Sequence, residues 1–290
     1  MTDRSEQTIV ITGATGGIGF HSALALARTG AHVVITGRDP SRGEAARQRI
    51  LAEAGHERVT LVLGDLSSIA GIDALAEAVR AQVERIDVLV NNAGYLGNAP
   101  RQSADGLEMH FAVNVLAPWR LTHALLPTLA AAPAPRVINV TGGDKPAAVD
   151  VDNLQAEKGF RGLMTYTHSK SALEALSMAQ AAALEPRGVG VHVVFPGRAS
   201  TAMTGGMSVE ALPGWMKLFW PLFKLMFAED GGKSAAKAAR STVWAATAPE
   251  LEGSTGRYFD THAAEKRLHA TAYDPAVQQR ILAVIAAAPG

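Results

Sequence analysis

Tyr166 and Lys170 stand in the pattern Tyr-x-x-x-Lys. On a helix that spacing places both side chains on one face. A phenol titrates near about 10, so it must be acidified before it can exchange a proton near neutrality, and a neighbouring ammonium favours the phenolate. The pair therefore reads as a general acid/base with its tuner, or, taken alone, as a surface contact. A second pattern lies far upstream. The β-branched run Thr8 to Thr12 reads as a buried strand that breaks into Gly13, Gly16, Gly17 and Gly19, with helix-favouring residues from Ser22 to Arg28. Glycines permit a tight turn and let backbone N–H groups approach an anion, and a helix N-terminus adds unpaired donors. The spacing Gly-x-x-x-Gly-x-Gly differs from the commonest dinucleotide fingerprint, so by itself the turn is also compatible with binding nothing.

The elements that position these residues alternate along the chain. Strands are expected at 32–36, 59–63, 86–90, 136–141 and 191–195, the last stopped by Pro196-Gly197. Helices are expected at 40–54, around Ile72, Leu75, Val79 and Val83, over 106–131, over 166–185 and near 276–287, with a polar insertion at 142–162. Such alternation specifies an α/β fold with a parallel sheet covered on both faces. No Pro-, Gly- or Ser-rich linker divides the chain, so residues 1–290 are expected to form a single doubly wound domain. Ligands then bind beyond the carboxyl ends of the strands.

Composition narrows the function classes. At 290 residues and 48% hydrophobic, the chain has material for one large core. A formal net charge of zero gives no reason to expect nucleic acid or an acidic membrane surface. The absence of cysteine excludes disulfides, thiolate metal sites and a cysteine nucleophile, and no metal site is expected. Met1 to Gln7 is polar and leads into the first strand, which suits a cytoplasmic protein. The apolar stretch 212–227 is interrupted by Lys217, Pro221 and Lys224, so stable membrane insertion is not expected.

Together, Thr12-Gly-Ala-Thr-Gly-Gly-Ile-Gly19, Asn91-Asn-Ala-Gly94, Asn114, Tyr166-x-x-x-Lys170 and Pro196-Gly197 resemble the motifs of the short-chain dehydrogenase/reductase family. The resemblance covers about residues 8–260. Gly37-Arg38-Asp39, the run Asp105 to Asn114 and Gly256 to Asp260 point to its retinol-dehydrogenase-like branch. It implies a Rossmann-type sheet and an oxidoreductase in which Tyr166 exchanges the proton. Lys170 also holds the nicotinamide ribose, and Asn114 anchors a water in the proton path. His168, at another angle on the helix, is read as non-catalytic.

The same resemblance distributes the cofactor contacts. Gly13, Thr15, Gly16, Gly17, Ile18 and Gly19 meet the pyrophosphate side, Asp65 and Leu66 the adenine, and Asn92, Ala93 and Gly94 the adenosine ribose side. Pro196, Gly197 and Thr201 hold the nicotinamide carboxamide. For Asp65 a helix-capping role is the alternative. Gly37 occupies the position where an acid would bind the 2′-hydroxyl of NAD, and Arg38 follows. A guanidinium there suits a 2′-phosphate, so NADP(H) is favoured, with Asp39 keeping NAD(H) as the alternative. The basic residue that many NADP-dependent relatives carry before the second motif glycine is replaced by Gly16.

One departure from the family stands at the end of the fifth strand. The serine that usually hydrogen-bonds the substrate carbonyl falls at Gly142, so one oxyanion donor is missing. Either Thr141 turns its hydroxyl inward, or Asp144 or Lys145 holds the substrate, or the chain binds nucleotide and catalyses little. The expected function is hydride transfer between the cofactor and an apolar carbonyl or alcohol; the alternative is a nucleotide-binding sensor or interaction partner with weak or no catalysis. The segment 199–228 is rich in Met, Trp, Phe and Leu and is read as a substrate lid, against an oligomer contact, core packing or a membrane-surface helix. A peripheral segment, 261–290, follows. Association as a homodimer or homotetramer is expected through the two long helices, as in many relatives.

Overall fold

In the computed structural model, residues 4–142, 146–197, 199, 205, 209, 220 and 230–289 are described. The β-branched runs form β1 (Thr8–Ile11), β2 (His32–Gly37), β3 (Val59–Leu63), β4 (Val88–Asn91), β5 (Arg136–Val140) and β6 (Gly190–Val194). Two short strands not foreseen, β7 (Arg257–Phe259) and β8 (Glu265–Lys266), complete an eight-stranded sheet in the order β3-β2-β1-β4-β5-β6-β7-β8. Only the β7–β8 pair is antiparallel. Strand order reverses between β1 and β4, which opens a crevice at the carboxyl edge of the sheet.

Among the described residues the α-helices include α1 (Gly17–Ala27), α2 (Pro40–Ala54), α3 (Ile69–Arg80), α4 (Met109–Phe111), α5 (Ala117–Ala124), α6 (Leu126–Ala130), α7 (Gly162–Leu184), α8 (Lys233–Thr247) and α9 (Pro275–Ala286). The long helix expected over 106–131 is divided. A π-helical turn at Ala112–Leu116 joins α4 to α5, and Pro118 and Pro127 sit in the first turns of α5 and α6. Proline is tolerated there, where its missing N–H has no intrahelical partner. Strands alternate between two cores: Ile9, Ile11, Ile35, Val90 and Val140 face α1 and α8, whereas Val10, Val34, Leu89, Val137 and Val193 face α3, α5 and α7.

A buried polar ladder fixes the site-bearing elements to each other. Asn91 Nδ2 donates to Thr122 Oγ1 at 3.2 Å and to Asn139 Oδ1 at 2.8 Å, and Asn139 Nδ2 donates to Ser177 Oγ at 2.8 Å. It runs from α5 through β4 and β5 to α7. The 261–290 segment, expected to be peripheral, supplies β8 and lays α9 and the turn Ala270–Tyr273 on α7. Leu268, Ala272, Val277 and Ile281 are thereby buried in the same core as Leu176 and Leu184. Among the described residues no helix is long and apolar enough to cross a membrane.

Candidate active site

The glycine turn is held from below by the segment after β4. Thr12 Oγ1 accepts the N–H groups of Asn92 and Ala93, each at 3.0 Å, while Asn92 Nδ2 donates to the carbonyls of Thr12 and Gly13 at 2.8 and 3.2 Å. At Gly13 (φ +64°) a Cβ would stand 2.9 Å from Ala93 Cα, and at Gly19 it would collide with the Asn92 amide. These two glycines are required by that close approach. Gly17 has φ +55° at the start of α1, whose N-cap Gly16 offers no side-chain acceptor and whose first turn has no acid. The leading N–H groups are left for an anion. Ile18 packs toward Ala235 and Ala238 of α8.

An acidic side chain at the end of β2 would require the Thr15 side chain to turn away. A Cβ at Gly37 would collide with the Thr15 methyl. Asp39 accepts the Arg42 backbone N–H at 3.0 Å as the N-cap of α2, which gives its carboxylate a structural partner. Arg38 and Asp65 form an exposed pair at 3.9 Å. Asp65 also accepts the Ser67 N–H at 3.0 Å, while the cap of α3 is Ser68. Leu66 packs against the core beneath. Sequence reasoning missed Arg42. Its Nη2 lies 3.5 Å from where a Cβ on Gly16 would be, so an α2 guanidinium covers the place of the absent basic side chain. Only the fold brings 16 and 42 together.

Gly94, Asn114 and Lys170 meet at one point: a Cβ on Gly94 would lie 3.5 Å from Asn114 Oδ1 and 3.6 Å from Lys170 Nζ. Asn114, on the π-helical turn, is fully buried. Its Oδ1 accepts the Tyr95 N–H at 2.8 Å, and its Nδ2 donates to the Tyr95 carbonyl and to Ser169 Oγ at 3.0 and 2.9 Å. The amide thus holds the Tyr95 loop against α7. That loop has a second anchor in the Asp105–Asn114 run. His110 is fully buried, its Nδ1 2.8 Å from Glu108 Oε1, and its Nε2 accepts the Gly97 N–H at 3.0 Å.

Lys170 Nζ donates to the Val140 carbonyl at 3.0 Å and sits 6.0 Å from the Tyr166 ring centre. Burial lowers the Lys170 ammonium to about 8 and pushes the Tyr166 phenol up to about 12. Desolvation therefore outweighs the acidification expected from the ammonium. Thr141 Oγ1 donates to Glu174 Oε1 at 2.7 Å, and burial lifts that carboxyl to about 7. The hydroxyl expected to turn toward a substrate oxygen has Glu174 as its partner instead. At Gly142 a Cβ would collide with the Tyr166 hydroxyl and approach its Cζ to 3.1 Å. The phenol tip fills the space that a serine side chain would take.

His168 Nε2 accepts the Asp150 N–H at 2.9 Å and so anchors the loop before α7, a structural contact. Pro196 and Gly197 follow β6; Gly197 (φ +86°) faces Thr261, whose Cγ2 would be 2.7 Å from an added Cβ. Thr201, Asp144, Lys145 and nearly all of the 199–228 lid lie outside the described residues. Among the described residues no cluster of His, Asp and Glu could hold a metal ion.

The chain matches the family model described as short chain dehydrogenase over residues 7–210. It is 35% identical to retinol dehydrogenase 13 of Mus musculus over 258 residues, 88% of this chain and 75% of that protein. It is 31% identical to polyprenol dehydrogenase of Homo sapiens over 285 residues, covering 96% and 83%. Among solved structures, the RhlG/NADP active-site complex of Pseudomonas aeruginosa aligns with a TM-score of 0.64 and 28% identity, covering 89% of this chain and 96% of that one. A short chain dehydrogenase from Salmonella enterica aligns with the same TM-score at 25% identity, covering 90% and 96%. The protein belongs to the short-chain dehydrogenase family, in its retinol-dehydrogenase-like branch.

Proposed function

We propose that this protein is an NADP(H)-dependent dehydrogenase/reductase acting on an apolar carbonyl/alcohol pair, with Tyr166 exchanging the proton at the substrate oxygen. The residues present fit the dinucleotide. The uncapped α1 N-terminus and its glycine turn suit a pyrophosphate, Gly37 against the Thr15 methyl leaves the ribose position without an acid, and Arg38 and Arg42 suit a 2′-phosphate. Bound NADP(H) supplies or accepts the hydride. Gly13, Asn92 and Ala93 would shape the floor beneath it, and Asp65, Leu66, Pro196, Gly197 and Thr201 are its proposed further contacts.

The observation that carries the reading is the convergence on Gly94 and Gly142. Asn114, Lys170 and Tyr166 come from a π-helical turn and α7, yet they meet at the carboxyl ends of β4 and β5. Lys170 is placed to bind the nicotinamide ribose and to favour the phenolate. Tyr166 presents its hydroxyl at the strand edge, and Asn114 ties the Tyr95 loop to Ser169 of α7 beside them. Relatives named for retinol and polyprenol support an apolar, isoprenoid-like alcohol or aldehyde as substrate. The test is consumption of NADPH over a panel of aliphatic and isoprenoid aldehydes, ketones and quinones, with Tyr166→Phe as control. Turnover abolished by that substitution supports the reading. Tight NADPH binding without turnover on any carbonyl replaces it with a nucleotide-binding role.

A further inference from the structure

Glu174 lies one helical step of four residues beyond Lys170 and two beyond Tyr166, so the three side chains form one stripe along α7. Lys170 and Glu174 are each 3% exposed. The stripe meets three consecutive residues at the end of β5. The Val140 carbonyl accepts Lys170 Nζ at 3.0 Å, the Thr141 hydroxyl donates to Glu174 Oε1 at 2.7 Å, and Gly142 receives the Tyr166 phenol tip. A carboxyl buried beside Leu173 and Ala175 is costly unless it is paired. The groups that act on it are Thr141 from β5 and Lys170 from its own helix; its own charge acts on Tyr258 from β7, which also feels Asp260.

We propose that Glu174 is a positioning residue of the active site. Its carboxylate shares a buried charge balance with Lys170, and through it sets the pH range over which Lys170 and Tyr166 exchange protons. Its bond to Thr141 fixes the segment on which Tyr166 rests. This rests on Tyr166 and Lys170 being the proton-exchange pair.

The direction follows from the charges. Burial drives Glu174 up to about 7 and Lys170 down to about 8, while each one's charge favours the charged form of the other. The two groups therefore titrate as a pair. Once ionised, the carboxylate keeps a proton on Lys170 to higher pH; without it, Lys170 becomes neutral sooner.

Glu174→Gln removes the charge and keeps an acceptor for the Thr141 hydroxyl. Thr141→Val removes the bond and keeps the carboxyl. The readout is an NMR titration of ε-13C-lysine in the protein without nucleotide, with the Lys170 signal assigned by Lys170→Arg. In Glu174→Gln the Lys170 midpoint falls by roughly half a pH unit or more, and the alkaline limb of kcat/KM for carbonyl reduction moves down with it. In Thr141→Val both move the same way by less, because the carboxyl loses a bond that favours its ionised form. If Glu174→Gln fails to fold, Thr141→Val carries the test. An unmoved midpoint in a folded variant overturns the proposal. A midpoint that moves in a protein with no carbonyl turnover leaves the charge balance standing and refutes the proton-exchange role of the pair.

Discussion

Gly142 is where a single added carbon separates two effects. A Cβ there collides with the Tyr166 hydroxyl and comes within 3.1 Å of Cζ, so the phenol tip must retreat on the order of 1 Å to reach ordinary contact. A displacement of that size at a reacting group costs about 100-fold in rate, or about 2.7 kcal/mol. Gly142→Ala applies this term alone, so kcat falls about 100-fold while the NADPH dissociation constant stays within about threefold. Gly142→Ser applies the same displacement and adds a hydroxyl donor, which contributes roughly 100- to 1,000-fold at an oxyanion. The serine variant therefore turns over at least as fast as the native chain, up to about tenfold faster, and exceeds the alanine variant by roughly 100- to 1,000-fold. Stopped-flow single-turnover reduction of one accepted aldehyde measures the chemical step directly. A neutral Gly142→Ala would place the working Tyr166 hydroxyl elsewhere, and alanine and serine variants of equal rate would remove the oxyanion argument.

Three further outcomes are expected. Arg38→Ala and Arg42→Ala each weaken NADPH by roughly 10- to 100-fold through the loss of a charge-assisted contact, with NADH affinity nearly unchanged, as read by fluorescence titration; parallel loss for both nucleotides would refute the 2′-phosphate assignment. Lys170, lowered to about 8 in the folded chain, binds fewer protons than the unfolded chain between about 8 and its ordinary 10.5, so its contribution to stability rises with pH across that window. The difference in unfolding free energy between the native chain and Lys170→Met should shift by on the order of 3 kcal/mol toward the native chain between pH 7 and 10.5, and a flat difference in urea melts would contradict it. His168→Phe frees the Asp150 N–H and lowers stability by about 1–2 kcal/mol, with proteolysis faster within 146–161 and kcat little altered; a large loss of kcat at unchanged stability would give His168 a chemical role.

Much of the sheet was legible because each inner strand is a short β-branched run buried on both sides, a pattern that survives without knowledge of its neighbours. The glycine turn was legible for the same local reason. Other elements depend on contacts that no local pattern encodes. α8 packs through Ala235, Ala238, Ala239, Thr242, Ala245 and Ala246, which recur at helical spacing but are small, so the stripe they form does not tell which element it packs on. β7 is three residues long and exists because β6 offers it an edge. The apolar pattern after β4 reads as one long helix, although Pro118 and Pro127 mark its divisions and Asn114 sits on the π-helical turn between α4 and α5. At the site, residue types gave the candidates but not their partners. Neither Thr141 facing Glu174 nor Arg42 covering Gly16 follows from spacing, since each joins residues far apart in the chain.

The seat of α9 on α7 has a consequence for mass action. The apolar side of α7 that carries Leu176 and Leu184 is closed by Val277 and Ile281 of the same chain. Closure by a neighbouring subunit would make the rigidity of α7, and of Tyr166 and Lys170 on it, depend on protein concentration. Closure from within makes it a first-order property. The hold of α9 on this side of α7 is therefore the same in a dilute solution as in a concentrated one.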